Sequence, residues 1–105
     1  TYMDLNKLMQ QAQQMQKDLG KVQDELNATV YTGENGGSEG VKVEMDGTHK
    51  LQSVAIAAEL MGEDNREMLQ DMILLAVNQA SEKADADRES KLGSAAGGMN
   101  IPGLD

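Results

Sequence analysis

Cysteine, phenylalanine and tryptophan are absent from this chain of 105 residues, and proline occurs once. Without cysteine there is no disulfide, no thiolate zinc site and no cysteine nucleophile. That fits a reducing compartment. Aromatics make up 2% of the residues, so the core has to be built from Leu, Ile, Val, Ala and eight Met. Met fills space but specifies shape poorly. A core this small commonly needs association to bury enough surface. No apolar run approaches the roughly 20 residues of a spanning helix. The N-terminus lacks a basic region followed by an apolar core. The expectation is a single-domain cytoplasmic protein with no membrane partner. Cations are also scarce: 9 Lys and Arg face 18 Asp and Glu, for a formal net charge of -9. The whole-molecule field therefore opposes phosphate, and any nucleic-acid contact has to come from a local face.

Residues 5 to 26 carry an unbroken stripe: Leu5, Leu8, Ala12, Met15, Leu19, Val22 and Leu26. Its steps alternate between three and four. Only a helix brings those positions to one side, and a sustained 3.5-residue period asks for another helix against the seam. The predicted first helix runs from about residue 4 to 27, with Asp4 or Asn6 as its N-cap. Gly20 lies inside it at a cost of about 1 kcal/mol relative to Ala. The stripe marks Leu5, Leu8, Met15, Leu19, Val22 and Leu26 as packing or dimer residues.

β-Formers follow over 29–32, then a Gly-rich stretch from Gly33 to Gly40 that reads as a flexible loop. Val41-Lys42-Val43-Glu44-Met45 alternates like a half-buried strand. Asp46-Gly47 is a hairpin signal, and a return strand spans about 50–56. In that strand Leu51 is out of step with Val54 and Ile56. Asp64-Asn65-Arg66-Glu67 resembles a capping box ahead of a second helix over about 65–91. Met68, Leu69, Met72, Ile73, Ala76, Val77 and Ala80 give it a stripe wide enough to cover a sheet. From Ser81 onward it turns polar and is expected to project into solvent or onto a partner.

The fold class is therefore α+β: a helix, a three-stranded antiparallel meander and a helix. It forms one domain over 1–92, followed by a flexible Gly-rich tail over 93–105. A small sheet cannot use the whole first-helix stripe, and its edges are unprotected. A symmetric dimer joined by sheet edges or by helices solves both problems. The alternative is that the first helix folds back on the second of its own chain.

The run Leu5-Asn6-Lys7-Leu8-Met9-Gln10-Gln11-Ala12-Gln13-Gln14-Met15-Gln16 resembles the N-terminal helix of the YbaB/EbfC family of bacterial nucleoid-associated proteins. The likeness continues through Val22–Leu26, Thr32–Gly37, Val41–Val43 with Asp46-Gly47, and Leu69–Ile73 with Ala76, Asn78 and Ala80. It closes with Gly97-Gly98-Met99-Asn100-Ile101-Pro102-Gly103. It thus covers nearly the whole chain in order. The resemblance implies an intertwined, tweezer-like homodimer of the cytoplasm and nucleoid. Two chains share a sheet, and long helices project from it as arms. It also implies cofactor-free binding of double-stranded DNA with little sequence preference, in nucleoid organisation or gene regulation. Gln10 stands where the family helix carries Lys.

On a wheel of 100° per residue, Lys7, Lys17 and Lys21 fall opposite the apolar stripe, with Gln10 and Gln14 among them. These residues are DNA-binding candidates: Lys for phosphates, Gln for phosphates or adenine edges. Lys83, Arg88 and Lys91 near the end of the second helix are further candidates, although Glu82, Asp85, Asp87 and Glu89 interleave with them. His49 beside the hairpin has no second His to make a metal site. The Gly33–Gly40 loop lacks the Lys-Ser/Thr and the following helix of a phosphate loop. No Ser-His-acid set is available with one His, so neither an enzyme nor a small-molecule substrate is expected. The competing reading is an acidic homodimeric interaction module that grips a protein through exposed Met and Leu, such as Met3, Met9 and Met99.

Overall fold

In the computed structural model, residues 2–97 are described. Helix α1 spans Tyr2–Ala28. Strands β1 (Val30–Asn35), β2 (Val41–Asp46) and β3 (Leu51–Ile56) form an antiparallel sheet in the order β1-β2-β3. Helix α2 spans Arg66–Gly97. The architecture is the expected α+β helix, meander and helix.

The alternation of β2 decides where the core sits. Val41, Val43 and Met45 are buried, and they pack with Leu60, Ala76 and Ala80. Ile56, Leu69, Met72, Ile73 and Val77 close around them. The α2 stripe thus covers the sheet as its spacing requires, except that Met68 stays exposed. Fully burying each large apolar side chain contributes about 1.5–3 kcal/mol.

Close approach is possible because small residues face each other. A Cβ added at Gly33 would lie 1.8 Å from the Ala76 carbonyl oxygen. This overturns the loop reading of Gly33–Gly40. Gly33, Glu34 and Asn35 continue β1 and pair with Val43, Lys42 and Val41. The remainder is a single 3-10 turn over Gly37–Glu39, entered through Gly36 at φ 90°. Glycine here serves helix-to-strand contact and a left-handed turn, both of which need the absence of a Cβ.

The hairpin also explains Leu51. Glu44 pairs with Ser53 and Met45 with Leu51, so Gln52 is a bulge residue. The extra residue returns Leu51 to the face of Val54 and Ile56. Asp46 closes the turn: its carboxylate accepts from the Thr48 N–H and hydroxyl, the Lys50 N–H and the Gln52 amide. His49 completes the turn at φ 69°.

Helix bounds differ at both ends from the sequence reading. α1 starts at Tyr2, so Asp4 lies within its first turn instead of capping it. Asn65 ends a 3-10 turn before α2, and its amide donates to the Glu59 carbonyl at 2.9 Å. α2 runs through Gly93 to Gly97, where a tail beginning at 93 was expected. One glycine costs about 1 kcal/mol, too little to stop a helix of this length. The rest of the expected tail, 98–105, lies outside the described residues.

The polar second half of α2 does not project freely. Ala84 is buried, and the Tyr31 hydroxyl donates to Asp87 at 2.7 Å. Arg88 donates to the Asn27 side-chain oxygen and to the Gly47 carbonyl. These bonds tie the end of α1, the hairpin and α2 together. Past that junction the two helices run back along each other. At 1.5 Å per residue, α2 beyond Arg88 extends only about 13 Å. α1 is 27 residues long and extends about 40 Å. The molecule is accordingly elongated, 75 × 27 × 17 Å.

Candidate nucleic-acid interface

Helix α1 begins as a solvated arm. Leu26 is 1% exposed at its base, while Leu8 and Leu5 are 63% and 58% exposed toward its tip. Met15, Leu19 and Val22 are half-buried between these extremes. Among the described residues the stripe is therefore fully covered only at its C-terminal end.

Lys7, Gln10, Gln14, Lys17 and Lys21 are all exposed. They share the side of α1 opposite Leu26, as 3.6 residues per turn requires. Gln14 donates to Asp18 at 3.0 Å, one turn away. Long flexible cations on a regular helix suit phosphate contact, because each ammonium can reach an oxygen without fixing a base. Asp18, Asp24 and Glu25 flank the face and moderate it.

The α2 candidates occupy different places. Lys83 donates to the Thr32 carbonyl at 2.8 Å. One turn earlier, Gln79 accepts from the Glu34 N–H at 2.7 Å. Thr32 and Glu34 turn these groups away from β2, so the two side chains plug the outer edge of β1. Arg88 is held by Asn27 and Gly47. Lys91 lies 3.2 Å from Asp87 on its own helix. Lys83, Arg88 and Lys91 thus each have a partner within the fold. Sequence reasoning missed the edge plug because nothing in Gln79 or Lys83 names a strand as partner.

Asp87 shows how tightly this junction is tied. Its carboxyl is held below the usual aspartate range, first by the Tyr31 hydroxyl and then by Lys91. Burial raises the Tyr31 hydroxyl, and its bond to Asp87 raises it further. The proton therefore stays on Tyr31 and is donated. His49 Nε2 lies 2.8 Å from Asp85, joining the hairpin to α2. Among the described residues no group of His and acidic side chains is arranged to hold a metal ion, and no helix is long and apolar enough to cross a membrane.

Charge on α2 is sorted by face. Glu67, Asp71, Glu82, Asp85 and Glu89 are exposed and lie away from the sheet on the helical wheel. Leu74 and Leu75 are exposed on the same side.

Comparison with known proteins places this geometry. The model of the YbaB/EbfC DNA-binding family matches residues 2–99. A nucleoid-associated protein of Chloroflexus aurantiacus is 43% identical over 97 residues, covering 92% of this chain and 96% of that protein. One of Ligilactobacillus salivarius is 40% identical over 102 residues, covering 97% and 95%. One of Rickettsia bellii is 37% identical over 99 residues, covering 94% and 92%. An uncharacterized Helicobacter pylori protein solved by crystallography shares the fold, with a TM-score of 0.68 at 21% identity. The match covers 83% of this chain and 90% of that one.

Proposed function

The chain belongs to the YbaB/EbfC DNA-binding family, and we propose that it acts as a homodimer that binds double-stranded DNA in the bacterial nucleoid with little sequence specificity. The observation that carries this reading is the division of cations between the helices. Lys83, Arg88 and Lys91 of α2 have partners within the fold, whereas Lys7, Lys17 and Lys21 stand exposed with Gln10 and Gln14 on one side of α1. An ordered row of ammonium groups can meet a phosphate backbone even on an acidic protein, because salt at physiological strength screens charges beyond about 8 Å. Flexible ammonium groups on an exposed helix face favour phosphate over base edges.

The sheet supports the dimer. Its β1 edge is plugged by Gln79 and Lys83. At the other edge, Leu51 and Val54 of β3 are exposed on the face whose β2 partners, Met45 and Val43, are buried. Helix α2 covers β1 and β2 and leaves this strip open. A second copy joined edge to edge at β3 would continue the sheet, cover the strip and give each dimer two arms.

The test is fluorescence anisotropy of a labelled random-sequence duplex over a range of salt, with the full chain and with K7Q/K17Q/K21Q. The reading expects log affinity to fall with log salt by about 0.9 per phosphate contacted. The triple variant should bind more weakly and with a flatter slope, while remaining dimeric. An unchanged slope would remove the α1 face as the site. No binding at low salt would remove the DNA reading.

A second reading is an acidic dimeric interaction module that captures a protein. Leu74 and Leu75, exposed beside the acidic residues of α2, favour it. It expects partner capture that is insensitive to salt.

A further inference from the structure

The seam of α1 outruns the helix that covers it. Leu26, Val22 and Leu19 lie along the stretch where α1 and α2 run together, Leu26 buried and the other two half-buried. Counted back from the Asn27–Arg88 bond, the last described turn of α2 falls beside about Asp18. From Ala12 to Leu5 no described residue of α2 lies opposite, yet the three-and-four spacing continues unbroken.

We propose that the uncovered part of this seam, Leu5, Leu8 and Ala12, together with the half-buried Met15, pairs with the same segment of a second copy, arm against antiparallel arm, so that two homodimers join through their arms.

Three observations choose a second copy as the occupant. First, the seam continues an interface that already packs helix against helix, with the same register and the 3.5-residue period that specifies a helical partner. Second, charge permits it. A chain of net charge -9 repels its own copies, but from Leu5 to Gln16 the one charged residue is Lys7. Met9, Gln11 and Gln16 border the seam as neutral residues, and the acidic Asp4 borders it only at its tip end. Third, Ala12 at the centre of the segment lets two helix backbones approach closely, since the interaxial distance follows the side chains at the contact.

The segment is about three turns long, or roughly 16 Å. Alone it is too short to hold two helices together. Two arms per dimer change this, because the second contact becomes intramolecular and its effective concentration rises to the millimolar range. The pairing also leaves Lys7, Lys17 and Lys21 outward, since they lie opposite the seam. Two joined dimers would then offer cationic faces to two duplexes and bridge them. That consequence rests on the DNA reading above; the pairing does not.

Sedimentation velocity of the full chain without DNA, over a concentration series at low and high salt, tests the pairing. The expected result is a dimer that passes to a tetramer as concentration rises and keeps doing so at high salt, because the contact is apolar. L5E/L8E should raise the concentration of half-association by about tenfold or more, which corresponds to at least 1.4 kcal/mol. Its far-UV circular dichroism should stay that of the unsubstituted chain, because both leucines are exposed. K7Q/K17Q/K21Q should associate normally even while losing DNA. A mass that stays constant at every concentration overturns the proposal. So does constant mass with a lowered thermal midpoint in L5E/L8E, which would mean that another part of the same chain covers the seam. Association of L5E/L8E equal to that of the unsubstituted chain overturns it as well.

Discussion

Lys83 donates to the Thr32 carbonyl at 2.8 Å and so stands at the sheet edge. With Gln79 on Glu34, it closes the edge of β1 that another strand would otherwise use. Replacing Lys83 with Met keeps the apolar stem and removes the donor. Stability should fall by about 0.5–1.5 kcal/mol, read by urea denaturation. DNA affinity and its salt slope should stay at the unsubstituted values. Arg88→Met should cost more, about 1–2 kcal/mol, because two acceptors lose a charged donor at a half-exposed site. Lost affinity at unchanged stability in either variant would return that residue to the DNA-binding face.

Gly33→Ala tests the contact between β1 and α2. The new methyl would lie 1.8 Å from the Ala76 carbonyl oxygen. The Cβ position is fixed by the backbone and the atoms it meets are backbone, so the overlap cannot be relieved by a rotamer change. Overpacking of this kind costs about 3 kcal/mol, which should appear as a clear drop in urea midpoint. Gly20→Ala is the control. Nothing lies within 4 Å of its added Cβ, and removing a helix-interior glycine should stabilise by up to about 1 kcal/mol. If the two variants were equally stable, the packing of α2 on β1 would be wrong.

Periodicity made most of the fold legible. The alternation of Val41, Val43 and Met45 and the wide stripe of α2 name the core residues directly, because burial on a strand or helix is a repeat in the sequence. The role of Gly33 was not legible. A glycine needed for close approach and one needed for loop freedom read alike until the neighbouring carbonyl is in place. Leu51 was visible as out of step, but the bulge at Gln52 that explains it depends on pairing across the hairpin. For the candidate site, the wheel separates Lys7, Lys17 and Lys21 from the stripe without a structure. It cannot show that Arg88 reaches Asn27 and Gly47, because those contacts lie 61 and 41 residues away in sequence.

The gradient of burial along α1 predicts a gradient of mutational cost. Leu26, 1% exposed, leaves a cavity at the junction when cut to Ala, and should lose about 2–5 kcal/mol. Leu8, 63% exposed, should change stability by less than about 0.5 kcal/mol in dilute solution. Chemical denaturation of both variants at low protein concentration checks this. Equal losses would mean that the arm seam is already covered within the folded chain.

Titration should expose the ties at the hairpin and at Tyr31. Hydrogen bonds from Thr48, with further bonds from Lys50 and Gln52, hold the Asp46 carboxyl below its ordinary value of 3.8. The folded state therefore favours the ionised form. That stability is present above the ordinary value and is lost as pH falls through the depressed one. Asp87 has the same sign, chiefly through Tyr31. Tyr31 has the opposite sign, since its pKa lies above the ordinary value of 10.0. Its contribution is complete below that value and is lost as pH rises through the raised one. Thermal midpoints measured from pH 2 to 12 should fall at both ends. Asp46→Asn should flatten part of the acid limb and leave the alkaline limb alone. Tyr31→Phe should flatten the alkaline limb and also part of the acid limb, because one hydrogen bond shifts both Tyr31 and Asp87. An acid limb unaffected by Tyr31→Phe would show that the Tyr31–Asp87 bond does not hold in solution.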